Sequence, residues 1–160
     1  MYPGTLTTMT IRIVIADDHQ VVRDSIAMVL SEEIDFQVVG TAGTGLDAIE
    51  IVEQMKPDIL IIDINMPGLN GIEAAKVISH SSPQTRILCL TMHNDETHVV
   101  NALEAGCRGF INKDNSIEVL ARAIRAVNRG QVFVMRSMAS REVVEYLSRS
   151  QEDITYDVAN

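Results

Sequence analysis

The sequence predicts an α/β fold: a doubly wound parallel sheet of five strands with helices on both faces. Three observations predict it. Short β-branched runs alternate with longer stretches of helical spacing between residues 11 and 130. The strand runs are nearly continuous in apolar residues, as in a sheet buried on both faces, rather than alternating as in a half-exposed one. The chain has 160 residues and is 46% apolar, enough for a self-sufficient core and too much for disorder.

Residues 11–16, Ile-Arg-Ile-Val-Ile-Ala, read as the first strand. Residues 20–31 follow with Val21, Val22, Ile26, Val29 and Leu30 at helical spacing. Residues 36–40 form the second strand and 46–55 a helix with Leu46, Ile49 and Val52 on one side. Pro57 ends that helix because it cannot continue the hydrogen-bond ladder. Residues 59–63 are the third strand, 66–71 a loop by their turn residues, and 72–79 a short helix. Residues 87–91 are the fourth strand, 96–105 a helix closed by Gly106, and 109–112 the fifth strand. The last core helix spans 116–129, with Ser116 as its cap and Glu118 in its first turn. Beyond Gly130 the alternation stops. Residues 132–135 are a short apolar stretch, 140–147 a small amphipathic helix with Val143, Val144 and Leu147 as its apolar side, and 148–160 a polar, frayed end. The expected organisation is a disordered tail at 1–10, one folded domain at 11–130, and a linker with its helix and tail at 131–160.

Thirteen Lys and Arg against 22 Asp and Glu leave a formal charge of −9. That balance disfavours a generic nucleic-acid binder, which must neutralise phosphates, and leaves room for a carboxylate-built cation site. Cys89 and Cys107 have no CxxC spacing, and each reads as a small buried hydrophobe. Residues 1–10 lack the basic and apolar blocks of a secretory signal, and no apolar run approaches the ~20 residues of a membrane span. The expected compartment is the cytoplasm, with no membrane partner.

In an open parallel sheet, ligands bind outside the carboxyl ends of the strands. The first strand ends in Asp17-Asp18, the third in Asp63 and the fourth in Thr91, while Lys113 follows the fifth. Taken singly, each has a plain structural role: the acidic pair as a helix cap, Thr91 as a β-former, Lys113 as a solvated charge. A cap accounts for one of them and not for all. Three carboxylates in one crevice repel one another, and a hard divalent cation removes the conflict. Carboxylates, a hydroxyl and an ammonium around Mg²⁺ make a phosphoryl site in which Asp63 attacks phosphorus.

These residues resemble the receiver domain of two-component response regulators. The resemblance covers about residues 11–129. It rests on the acidic pair, on Asp63-Ile64-Asn65-Met66-Pro67-Gly68-Leu69-Asn70-Gly71, on Thr91, and on Phe110 three residues before Lys113. It implies a flavodoxin-like, CheY-like (βα)5 fold with strand order 2-1-3-4-5. By the same resemblance Asp63 is the phosphoacceptor, and Asp17, Asp18, Asp63 and the Asn65 backbone carbonyl hold Mg²⁺. Thr91 and Lys113 bind the phosphoryl group, with Thr91 and Phe110 as the switch pair. The implied partner is a sensor histidine kinase that meets His19 and the first helix. The chain is expected to catalyse only its own phosphorylation and dephosphorylation. The expected output surface, which also serves homodimerisation, is the face of the fourth helix, fifth strand and fifth helix.

Asp17-Asp18-His19, Leu90-Thr91-Met92-His93 and Gly109-Phe110-Ile111-Asn112-Lys113-Asp114 resemble the NarL/FixJ-type, LuxR-like transcription regulators. Three positions depart from many receivers. Asp114 stands where Pro often follows the Lys, so no cis peptide is expected there. Met92 replaces a small residue and narrows access to Asp63. Phe110 lacks the hydroxyl of Tyr. The branch normally continues into a helix-turn-helix domain that binds DNA, for which about 30 residues are too few; DNA is therefore expected as a partner only through a domain outside this chain. The alternatives are a stand-alone or degenerate receiver acting as an interaction module, an Asp-nucleophile phosphatase and a flavin-mononucleotide binder. The phosphatase needs an acid where Asn65 stands, and the flavin site would set Asp17-Asp18 against the phosphate.

Overall fold

The computed structural model describes residues 10–91, 96–114, 117–150 and 152–157. In chain order its elements are β1 (Ile11–Ala16), α1 (Gln20–Leu30), β2 (Phe36–Ala42), α2 (Gly45–Met55), β3 (Ile59–Asp63), α3 (Gly71–Ser81) and β4 (Arg86–Thr91). They continue as α4 (Glu96–Glu104), β5 (Cys107–Asn112), α5 (Ile117–Asn128), β6 (Val132–Met135), α6 (Arg141–Ser150) and β7 (Ile154–Asp157). Residues 1–9 of the expected tail, Met92, and the expected cap Ser116 lie outside the described residues.

The five expected strands form in the implied order, and the sheet then runs on: β2-β1-β3-β4-β5-β6-β7, parallel throughout. β3 is buried along its whole length and β4 from its second residue, as their uninterrupted apolar runs predict. The strand order reverses beside β1, so the carboxyl ends of β1, β3, β4 and β5 open onto one crevice. Among the described residues there is no cis peptide, and no helix is long and apolar enough to cross a membrane.

The segment after Gly130 differs from the linker and frayed tail that the sequence predicts. Val132–Met135 is a sixth strand, with Gly109 opposite Phe133 and Phe110 opposite Val134. All four of its residues are buried, the signature of a two-sided interior strand. α6 turns Val143 and Leu147 into the core and returns the chain to β7. The unit is one more strand–helix–strand crossover of the same sheet. β7 was hidden by its polar flanks; Arg122 Nε and Nη2 hold Asp157 Oδ2 at 3.0 and 2.6 Å. One consequence is that the outer edge of β5, part of the face expected for dimerisation, is already paired with β6.

α5 is tied to the start of β2 by Arg125. Its guanidinium donates to Asp35 at 2.9 and 2.8 Å and to Glu33 at 2.7 Å, and stacks 4.7 Å from the centre of the Phe36 ring. Those hydrogen bonds hold Asp35 below the ordinary value of 3.8. Discounted for partial exposure, losing the group costs roughly 1–2 kcal/mol. Arg125→Ala is therefore expected to lower the thermal midpoint by roughly 3–6 °C at neutral pH. Because the folded-state pKa of Asp35 is depressed, this stabilisation is complete above 3.8 and fades as pH falls through the depressed value. Melting curves of the two proteins should accordingly converge in acid.

Candidate functional site

Each site residue is placed by a strand end or by the turn that follows it. Asp17 comes directly after β1 and is fully buried, and its backbone carbonyl accepts from Arg23 Nη1 at 2.7 Å. Its Oδ1 accepts the His19 backbone N–H at 2.9 Å, the turn that opens α1. Asp63 is the last residue of β3, 2% exposed, and its Oδ1 accepts the Asn65 backbone N–H at 3.0 Å. Lys113 follows β5, and its backbone N–H donates to the Thr91 carbonyl at 2.8 Å, registering the two strand ends.

The charges meet at Lys113. Its ammonium lies 2.6 Å from Asp17 Oδ2 and 2.9 Å from Asp63 Oδ2. Burial opposes the charged ammonium, but hydrogen bonds and attraction from Asp17 and Asp63 outweigh it and raise the Lys113 pKa. At Asp17 burial also pushes up, yet the Lys113 and His19 hydrogen bonds win and the pKa falls below 3.8. At Asp63 burial prevails over Lys113, and the pKa rises. The lysine thus divides its effect between two carboxylates, and Asp63 is the costlier one to keep ionised.

Asp17, Asp18, His19 and Asp63 each present a potential ligand atom, all within 4.8 Å of one another. Asp18 Oδ1 is buried and makes no hydrogen bond; His19 Nδ1 stands 3.1 Å away without being aligned as a donor. An orphaned carboxylate oxygen costs free energy unless a cation or water completes it. Three carboxylates and one ammonium leave two formal negative charges, which one divalent ion balances. The donor set is mainly oxygen, as a hard cation prefers.

A family model of the response regulator receiver domain matches residues 13–125. The chain belongs to that family. Oxygen regulatory protein NreC from Staphylococcus epidermidis is 41% identical over 143 residues, 89% of this chain and 66% of the relative. The chain therefore spans just under two-thirds of the length of the curated relatives it matches. A LuxR-family two-component response regulator from Aurantimonas sp. SI85-9A1 superposes with a TM-score of 0.75 at 30% identity, covering 89% of this chain and 98% of that one. The isolated receiver domain of RcsB from Salmonella enterica serovar Typhimurium, solved with the phosphomimetic BeF3−, gives 0.74 at 28% identity over 81% and 96%.

Within this receiver, the carboxylates of Asp17, Asp18 and Asp63 and the ammonium of Lys113 converge as the strand-end reading expects. Thr91 is 2% exposed at the end of β4, and Asn65 is exposed one turn beyond Asp63. Phe110 is fully buried in β5, opposite Val134 of β6. Two contributors escaped the sequence reading. His19 joins the acidic cluster as well as opening α1, a role its position next to Asp17-Asp18 already suggested. Gly71 lies directly under the Asp63 backbone, where a Cβ would come within 2.2 Å of the Asp63 carbonyl oxygen. Its φ is not positive, so no turn rule marks it.

Proposed function

We propose that this receiver takes a phosphoryl group from a sensor histidine kinase onto Asp63 and passes the change to an output that controls transcription. The observation that carries this reading is the buried Asp63 carboxylate, held 2.9 Å from Lys113 Nζ beside two further aspartates. Asp17, Asp18, Asp63 and the backbone carbonyl of Asn65 would hold Mg²⁺, which supplies charge neutralisation for the phosphoryl oxygens. An Asp63 oxygen attacks phosphorus; the phosphorus–nitrogen bond of the phosphohistidine breaks, and its imidazole keeps the electron pair. Lys113 leaves the carboxylate it neutralises for a phosphoryl oxygen, and the Thr91 hydroxyl donates to another. In the reverse half-cycle water attacks phosphorus, the bond to Asp63 breaks and inorganic phosphate departs. Catalysis is confined to this self-phosphorylation and self-hydrolysis.

The kinase side is α1. Val21 is 78% exposed, and with Val22 and Ile26 it lines an apolar groove of about 220 Å³ that reaches Ile117, Leu120 and Lys113. A helix of the kinase laid there would bring its histidine to the crevice. Since Phe110 is already inside, the switch acts by repacking Thr91 against it. The motion then passes to β6 and to α6, which packs against α4. The reading places the domain in the cytoplasm, with a homodimer as its phosphorylated partner state and with DNA reached only through a further helix-turn-helix domain.

The test is acetyl phosphate with Mg²⁺, read by intact mass. The wild-type chain is expected to gain one phosphoryl group, and Asp63→Asn or chelation of the metal to abolish the gain. Equal labelling of wild type and Asp63→Asn would place the acceptor elsewhere.

A further inference from the structure

Cys89 in β4 and Cys107 in β5 take no part in the chemistry above. Both are fully buried free thiols. An irregularity in the sheet brings them together. Leu88 pairs with Gly109 and Cys89 with Phe110, so a regular ladder would set Cys107 opposite Arg86. Side chains alternate faces along a strand, and Cys107 would then point away from the face of Cys89. Instead Cys107 pairs with Ile87, and Arg108 is the extra residue of a one-residue bulge. The bulge turns Cys107 to the same face as Cys89, and the two Sγ atoms stand 2.7 Å apart.

The pair has no further ligands around it: among the described residues no cluster of metal-ligating side chains includes either cysteine, so a structural zinc would lack the rest of its tetrahedron. With both Sγ atoms adjacent on one face of the sheet, the bond open to them is a disulfide of about 2.05 Å. The geometry points to a redox-active dithiol that a two-electron oxidant of the peroxide class closes into a Cys89–Cys107 disulfide.

The chemistry balances. One sulfur attacks a peroxide oxygen, the O–O bond breaks and water leaves, giving a sulfenic acid. The second sulfur attacks the first and expels hydroxide, which takes up the remaining proton as a second water. The sulfurs together lose two electrons, and the peroxide gains them. Burial, with the neighbouring Cys107, pushes the Cys89 thiol well above its ordinary value, so thiolate is scarce. Closure is therefore slow beside that of an exposed thiol and favours a small neutral oxidant. The bond ties together the two strands that carry Thr91 and Phe110. This inference concerns thiol chemistry alone and does not depend on phosphoryl uptake.

The test treats the reduced 160-residue chain with excess hydrogen peroxide, quenches with catalase, unfolds it, and alkylates with N-ethylmaleimide. Peroxide also oxidises methionine, of which the chain has eight, so the readout is the adduct count and the tryptic map rather than total mass. Untreated chain is expected to take two maleimides. Treated chain is expected to take none, to yield the single tryptic peptide of residues 87–108, which carries both cysteines, closed on itself and short of two hydrogens, and to regain both sites after dithiothreitol. Cys89→Ala and Cys107→Ala, each with one thiol, are expected to give no intramolecular link. Two adducts on treated wild type overturn the inference, as does loss of adducts without the two-hydrogen deficit in peptide 87–108 or with a cross-linked dimer in its place.

Discussion

Gly71→Ala is expected to damage both the stability and the chemistry of the domain. α3 starts with a capping box, in which the Asn70 side chain accepts the Glu73 N–H at 2.9 Å and Glu73 accepts the Asn70 N–H at 3.1 Å. The box fixes where the first turn of α3 begins, and the Gly71 N–H donates to the Ile64 carbonyl at 2.9 Å. A Cβ at residue 71 would stand 2.2 Å from the Asp63 carbonyl oxygen, 2.8 Å from Ile64 Cα and 2.9 Å from the Asp63 carbonyl carbon. All three are backbone atoms, which cannot rotate away as a side chain does. The expected cost is about 3 kcal/mol, at the upper end for overpacking. The strain is relieved by moving the backbone that aims Asp63. A displacement near 1 Å costs on the order of 100-fold in a positioned reaction, so phosphoryl uptake from acetyl phosphate should fall by at least tenfold. Gly68→Ala is the control. Gly68 has φ +75 and open space around its position, so alanine there costs only its left-handed backbone, about 1 kcal/mol. Denaturation midpoints and labelling rates that match between the two variants would refute the packing argument.

The contrast between these glycines shows what was readable in the sequence. Turn chemistry marked residues 66–71 as a loop, and the strand-end rule brought Asp17, Asp18, Asp63, Thr91 and Lys113 to one crevice. Both rest on local pattern plus one general property of parallel sheets. What escaped depends on closeness between distant backbones. Gly71 needs no unusual φ, only the absence of a Cβ beneath Asp63. Arg125 reaches Asp35 and Glu33 across 90 and 92 residues of sequence, a link no periodicity announces. Cys89 and Cys107 read correctly as buried, but strand alternation alone sets them on opposite faces, and only the bulge at Arg108 joins them. The final crossover is hidden for another reason: the receiver pattern accounts for the chain only up to Arg129, and nothing in the polar residues beyond it marks more of the same sheet.

Phe133→Ala distinguishes those two readings of the final segment. In a linker, truncating one side chain changes stability by less than about 0.5 kcal/mol. Phe133 is instead 1% exposed, in β6, opposite Gly109 of β5. The glycine leaves the space against β5 to its neighbours, and a Cβ there would meet Leu88 Cγ at 2.9 Å. Removing a buried phenyl ring costs about 3–5 kcal/mol, a large share of the 5–15 kcal/mol that holds a typical domain together. The urea midpoint should drop accordingly, with Val144→Ala, on the 43%-exposed side of α6, almost without effect. A second readout follows from the sheet. If β6 loosens, the edge of β5 is left with unpaired N–H and C=O groups, which seek another strand. Phe133→Ala is therefore expected to associate with rising concentration in light scattering where the wild-type chain does not. A variant that is as stable and as monomeric as wild type would return residues 131–160 to the status of a linker and reopen the β5 edge as the surface for dimerisation.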